Sequence, residues 1–235
     1  MKVWNWEGFW GYFGNLYLLE GALWTIGLTL STLFFGSIIG LGLATMRLSR
    51  HPWLSRFAQG YIWIFRGTPL LVQLIIIYTG LPQLGLVRFS VLESAILGLA
   101  LNEAAYLSEI LRGGILSVPK GQTEAARALG LRPLHSFRLV VLPQALRVII
   151  PPLGNSVNGL LKTTSIASVI SMEEVLRRGQ ILMQQKFQIL EVFMVVAIIY
   201  LVMTTCWDFV QRRIEAYYGQ AYGATADRQL ARDDH

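Results

Sequence analysis

Long apolar runs, separated by short basic or polar stretches, set the pattern of this chain. The first runs from about Ala22 to Met46. At about 1.5 Å of rise per residue, such a helix crosses a hydrocarbon core of about 30 Å. Further runs cover about Phe57 to Leu81, Val91 to Leu111, Ile149 to Ile170 and Ile189 to Val210. The pattern predicts an all-α membrane protein of five transmembrane helices. Ahead of the first run, residues 1–21 are rich in tryptophan and tyrosine, which collect at the membrane–water boundary, so this part is expected to lie at the interface. Ser171 to Gln188 is more polar and reads as an exposed amphipathic helix. Residues 213–235 read as a solvated, mobile tail.

Composition agrees with a membrane protein and bears on orientation. Of 235 residues, 54% are hydrophobic and 14% charged, and mean hydropathy is +0.49. The net charge of +6 does not indicate nucleic acid, because the basic residues fall between the apolar runs. Arg47, Arg50, Arg56, Arg112, Lys120, Arg127, Arg132, Arg138, Arg147, Arg212, Arg213, Arg228 and Arg232 lie in the first loop, the long central loop and the tail. Lys2, Arg88, Arg177, Arg178 and Lys186 occupy the opposite ends. The bias of Lys and Arg toward the cytoplasm then places the N-terminus outside and the C-terminus inside. One cysteine, Cys206, allows no internal disulfide. No cleavable leader or lipidation pattern is expected at the start.

Several polar side chains interrupt the apolar runs, and each has two readings. Arg66-Gly67-Thr68-Pro69 breaks the second run, since proline removes a donor and disfavours a straight helix. Arg66, Thr68 and Pro69 read first as a structural fixture within the membrane, with Arg66 alternatively lining a pathway. Gln73 faces the pathway or bonds a neighbouring helix. In the third run, Asn102, Tyr106 and Glu109 share a helical face, and Glu103 lies beside it. Arg112 explains Glu109 as a helix-surface pair. Glu103 has no local partner, so it meets either a ligand amino group, water or cation, or a basic residue on another helix. Asn155, Asn158 and Lys162 form one stripe on the fourth run, facing a water-filled cavity or a partner subunit. Lys162 either pairs with an acid such as Glu103 or binds a substrate carboxylate.

The central loop carries the most specific signal. Within Gly121 to Pro143, Gln122 or Thr123 can cap a short helix, with Glu124 in its first turn. Ala125, Ala126, Ala128 and Leu129 give it a smooth face, and Gly130 a C-terminal stop, with Pro133 just beyond. Glu124-Ala125-Ala126, Gly130, Val140 and Leu142-Pro143 resemble the EAA loop of ATP-binding-cassette importer permeases, with Val140 where that family usually has isoleucine. Phe65 to Gln73 and Lys162 to Ile170 are similar to segments of the polar amino acid subfamily.

The resemblance implies a type I importer permease whose transmembrane domain spans about residues 22–212 and whose cytoplasmic coupling loop spans about 113–148. It implies alternating access driven by two ATPase subunits, which carry ATP and Mg. Gly121, Thr123, Glu124, Ala125, Ala126, Leu129, Gly130 and Pro143 would couple to them. A second permease subunit, an extracytoplasmic amino-acid-binding protein and the lipid of a bacterial inner membrane complete the expected partners. Glu103, Tyr106, Asn155, Asn158, Lys162 and Gln73 are the candidates for the substrate pathway.

The residues themselves show no phosphate-cradling Gly-x-x-x-x-Gly-Lys-Ser/Thr pattern. His51, His135 and His235 are scattered, and no nucleophile–base spacing stands out. The chain is therefore not expected to be an enzyme. A channel or proton-coupled carrier using Glu103 and Lys162 is the main alternative. A membrane enzyme and a structural anchor are further ones.

Overall fold

The computed structural model describes residues 4–233, with side chains through residue 218. It is helical throughout, and no strand occurs among the described residues. In chain order the helices are α1 (Trp6–Phe13), α2 (Leu16–Leu48), α3 (Pro52–Gly67), α4 (Leu70–Gln83), α5 (Val91–Leu116), α6 (Lys120–Ala128), α7 (Pro133–Ile170), α8 (Val175–Lys186) and α9 (Ile189–Asp233). Local chemistry sets several starts. The Asn5 side chain accepts from Gly8 N–H, and that of Asn15 from Tyr17 N–H. Ser90 and Glu93 form a reciprocal capping box at α5. Pro52 and Pro133 open α3 and α7, where a missing N–H costs nothing.

Glycines fix how the helices run. Gly36 of α2 faces Ala100 and Glu103 of α5, and Gly40 faces Ala104, Leu107 and Ser108. Numbers rise together on both helices, so α2 and α5 are parallel, in backbone-close contact. Gly114 of α5 packs on Ala145 and Ile149 of α7, and Gly154 of α7 packs on Gln211 of α9. Each of these neighbours is antiparallel to the last. The ends of α2 and α5, the start of α7 and the late part of α9 therefore share one end of the bundle. Arg47, Arg50, Arg56 and the 117–132 loop lie at that end.

The sequence predicts five spans. By length and apolarity α2, α7 and the Ile189–Tyr218 part of α9 qualify, and the bent pair α3–α4 adds a fourth. The helix that falls short is α5, because Glu93, Glu103, Glu109 and Arg112 lie along it. It nevertheless occupies the middle of the bundle, in contact with α2, α3, α4 and α7. A helix shielded from lipid on most sides tolerates charges that a peripheral span does not.

The other end departs from expectation. Residues 171–188 do contain an amphipathic helix, but its apolar face is buried in the bundle instead of being solvated. After a left-handed turn at Ser171 (φ 67°), α8 plugs the space between α2 and α9. Val175 is fully buried, and Val175 and Leu182 join Phe9, Tyr12, Leu18, Val192, Val195 and Val196 in one cluster. Two of its charges, Glu174 and Arg178, are taken inside the fold, while Glu173 and Lys186 stay exposed. Buried Arg178 donates to Glu20 and to Tyr17 O, both at 2.8 Å, and lies 4.4 Å over the Tyr17 ring. Fully buried Glu174 accepts from Leu176 N–H, Arg177 N–H and Tyr200. Helix α1 packs here through Phe9 and Tyr12 while Trp6 and Trp10 stay exposed. Helix α9 continues through residues 213–233, where the sequence suggests a loose tail. Residues 1–3 and 234–235 lie outside the described residues.

The α2–α5 contact makes a paired prediction. A Cβ on Gly40 would stand 3.1 Å from Ala104 O and Leu107 Cβ, whereas one on Gly42 meets nothing within 4 Å. Gly40→Leu is expected to destabilise the chain by about 1–3 kcal/mol or more through overpacking. Gly42→Leu is expected to be near neutral. Thermal unfolding in detergent compares the two, and equal midpoints would contradict this packing.

Candidate functional site

The break in the second apolar run is a sharp bend. Helices α3 and α4 meet at 102°. Thr68 is extended (φ −120°, ψ 146°), as a residue before proline prefers. Such a bend leaves carbonyls of the last turn of α3 without helical partners, and a membrane interior offers little water to take them. Side chains do so instead. Gln73 Nε2 donates to Phe65 O (3.0 Å), Thr68 O (3.2 Å) and Thr68 Oγ1 (2.7 Å). Asn102 Nδ2, from α5, donates to Phe65 O and Gln73 Oε1, both at 3.0 Å. One helix turn away, the Tyr61 hydroxyl donates to Leu101 O at 2.8 Å. Gln73 is thus buried and bonded into the bend, the second of its two readings.

Against this bend lies a cavity of about 760 Å³, bordered by Arg66, Thr68, Asn102, Glu103, Tyr106, Asn155 and Ser156 among others. Glu103 is buried and accepts from Ser156 Oγ. Arg66 is exposed, with its guanidinium 5.1 Å from the centre of the Tyr106 ring. No cation pairs with Glu103 among the described residues. A buried carboxylate and a separate guanidinium therefore border one cavity, whose remaining wall is largely apolar. Arg66, Tyr106, Ile110 and Pro152 also border a second cavity of about 380 Å³ that includes Glu109. There Glu109 is held by Arg112 at 2.7 Å, the helix-surface pair expected from the sequence, with Arg47 Nε at 3.7 Å.

The polar stripe of α7 divides. Asn155 borders the large cavity and accepts from Gln211 at 3.2 Å. Asn158 donates to Asp208. Lys162 is exposed in a different groove, beside Ser165, Tyr200, Leu201 and Thr204, with no acid in contact among the described residues. Much of the stripe is thus matched by polar groups of α9, and no Glu103–Lys162 pair forms. Helix periodicity put the three on one face correctly. It could not say that Asp208 and Gln211, set beside Trp207, Phe209 and Val210, would be turned toward them. Ser156 is a further residue of the cavity, one that carries little signal as a lone serine in a span.

The central loop folds as a short helix, a turn and a return. Helix α6 begins at Lys120, earlier than expected, with Pro119 at the cap position and no side-chain cap. Neither Gln122 nor Thr123 caps it, and Glu124 falls beyond the first turn. Its end follows expectation. Gly130 takes φ +78°, Gly130 N–H donates to Arg127 O, and Leu131 N–H to Ala126 O. This is the glycine-closed helix end in which a left-handed residue satisfies two final carbonyls. Ala126 is buried, and α6 leans on the first turns of α7. Glu124, Ala125 and Gly121 are exposed, and Leu129 is 83% exposed. Pro143 follows a wide turn at Phe137–Val141 and starts the regular part of α7.

Residues 20–218 match the family described as binding-protein-dependent transport system inner membrane component. The chain belongs to this family. It is similar to the octopine transport system permease of Rhizobium radiobacter, at 43% identity over 79% of each chain. It is also similar to the arginine transport system permease of Corynebacterium glutamicum, at 37% identity over 98% of this chain and 77% of the relative. Among solved structures, an amino acid ABC transporter crystallised with histidines superposes with a TM-score of 0.80 at 36% identity, covering 86% of this chain and 94% of the other. An inward-facing methionine ABC transporter, at 22% identity and a TM-score of 0.73, shares the fold. The protein is thus a multi-pass membrane permease subunit of an ABC importer, and as such not itself an enzyme.

The bend network is testable by removal of its two amides. Gln73→Leu and Asn102→Leu each strand buried polar groups, and each is expected to cost about 1–3 kcal/mol per group left unpaired. Because the two side chains share partners, the double variant should lose less than the sum. Thermal or denaturant unfolding of the single and double variants measures this, and strict additivity would argue against a shared network.

Proposed function

We propose that this subunit translocates polar amino acids across a bacterial inner membrane, driven by ATP hydrolysis on two separate subunits. The observation that carries the reading is the cavity at the α3–α4 break. It holds a buried carboxylate, Glu103, and a guanidinium, Arg66, neither of which makes an ion pair among the described residues, though Glu109 lies near Arg66 across the second cavity. An amino acid brings the complementary pair, an ammonium and a carboxylate. Broken helices near mid-membrane are a recurrent way to build such sites, because the bend exposes polar groups only where a cavity receives them. Asn102 and Tyr106 project from the same helix and supply hydrogen-bonding and aromatic surface. The names of the octopine and arginine relatives agree with a polar amino acid or a derivative as cargo.

Coupling is assigned to α6. Its exposed residues Gly121, Glu124, Ala125 and Leu129, with Thr123 partly covered and Ala126 bracing the helix from behind, offer a small, firmly backed knob. A groove on an ATPase subunit would receive it, with ATP and Mg held there. A second permease, identical or related, and an extracytoplasmic binding protein complete the assembly. Cycling requires that these contacts differ between the inward- and outward-open states. An ATPase-independent carrier using Glu103 and Lys162 together gains no support, because those side chains border different cavities.

Two outcomes are expected in proteoliposomes containing the complete importer. Glu103→Gln should weaken substrate stimulation of ATPase activity, raising the half-saturating substrate concentration about 10- to 100-fold, the size of a lost charge-assisted hydrogen bond. If a panel of amino acids stimulates wild type and Glu103→Gln alike, the cavity is not the substrate site. Gly130→Pro cannot hold φ +78°, since proline is fixed near −65°. That variant should insert and assemble yet lose transport. Normal uptake would remove α6 from the coupling role.

A further inference from the structure

The junction between α2 and α3 carries an exposed surface of basic and aromatic residues. Helix α3 turns Ala58 and Ile62 inward, with Ala58 packed beside Leu43 and Ala104. Its outward side presents Trp53, Phe57, Trp63 and Ile64, which are 67%, 63%, 76% and 51% exposed. In a membrane protein such a face meets lipid, not water. Arg56 lies on that face, three residues from Trp53 and seven from Trp63, so helix geometry sets it between the two indoles. Gly60, one turn further up, has open space where a side chain would be. Arg50 stands on the turn just before the helix. Both arginines are exposed, and neither has an acidic or hydrogen-bonding partner among the described residues. The nearby Arg47 differs, since it is engaged by Glu109 and Ser55.

An unpaired guanidinium on a lipid-facing aromatic surface needs an anion at headgroup depth. Arginine in this setting extends toward the interface while its aliphatic part stays on apolar surface. Its planar fork fits a phosphodiester with two parallel bonds. Tryptophans on the same helix face anchor the depth. The end of the bundle involved is the one that collects the basic loops, which the charge bias assigns to the cytoplasm, where anionic lipid attracts cations. We propose that Arg50 and Arg56, with Trp53 and Phe57, form a binding site for the headgroup of an anionic phospholipid at the α2–α3 junction. The lipid supplies both requirements at once: phosphate for the guanidiniums and acyl chain for the rings. A protein partner would have to place acids over a broad aromatic face.

The test uses the full chain in detergent micelles, doped with phosphatidylglycerol or phosphatidylcholine carrying brominated acyl chains that quench tryptophan at contact. Brominated phosphatidylglycerol is expected to quench more than phosphatidylcholine at equal mole fraction. This excess should fall in Trp53→Phe, leaving at most the share of Trp63, and fall at least several-fold in the double variant Arg50→Gln/Arg56→Gln. It should persist in Arg50→Lys/Arg56→Lys, which keeps the charge and reports on folding, and in Arg132→Gln/Arg138→Gln, which removes charge elsewhere on the same end. Equal quenching by the two lipids, or an excess untouched by loss of both arginines, overturns the site. Loss of the excess on adding millimolar inorganic phosphate would assign the arginines to a soluble anion instead. Loss on adding the ATPase subunits would assign the surface to that protein.

Discussion

Lipid offers no hydrogen bonds, and that constraint governs this structure at one point above all. Breaking a helix inside the bundle frees carbonyls that must be paired by protein or by enclosed water. At Gly67-Thr68-Pro69 the chain meets the requirement with two amide side chains, Gln73 from just beyond the bend and Asn102 from α5. Because Asn102 bonds both the bend and Gln73, the position of α4 is referred directly to α5. The cavity exists because α4 leaves the axis of α3, and it carries polar groups because Glu103 and Tyr106 leave α5 at the level of that departure. Removing the amides would therefore disturb stability and site geometry together.

Around that point the helices are set by small residues. Gly36, Gly40, Gly114 and Gly154 let α2, α5, α7 and α9 approach one another's backbones and side-chain stems. Such contacts derive their strength from close packing, since lipid tails compete for apolar surface as well as protein does. They make α5 the axis of the bundle, and its enclosure is what allows it to carry three glutamates and an arginine. The opposite end of the bundle is closed differently, by α8 with the buried Glu174 and Arg178, so that a polar connecting segment becomes a plug.

Much of this was legible from the residues. Apolar run length located the helices, and the Arg-Gly-Thr-Pro break announced the bend, because proline and its neighbour constrain backbone angles locally. Gly130 announced the end of α6 for the same reason. What could not be read was which distant groups meet. The pairing of Asn155 with Gln211, of Asn158 with Asp208 and of Arg178 with Glu20 joins residues far apart in the chain, and single-residue chemistry only says that partners must exist. Glu103 shows the limit well. Its lack of a local partner was apparent, yet Ser156, not Lys162, turned out to face it. The start of α6 was missed by a few residues because capping side chains were expected where Pro119 alone opens the helix.

The parallel, glycine-locked contact of α2 with α5 has a mechanical meaning. Helix α5 bears Asn102, Glu103 and Tyr106 midway and runs on to Leu116, a few residues before α6. Thirteen residues of helix separate Glu103 from that end, about 20 Å at 1.5 Å per residue. A tilt of about 5° about the lower end would carry the Glu103 carboxylate sideways by about 2 Å, roughly the difference between a hydrogen bond and none. With α2 gripped along the same stretch, the pair behaves as one doubled beam, stiffer than either helix alone. A small displacement at the α5–α6 junction is then delivered at the cavity, with little dissipated in bending.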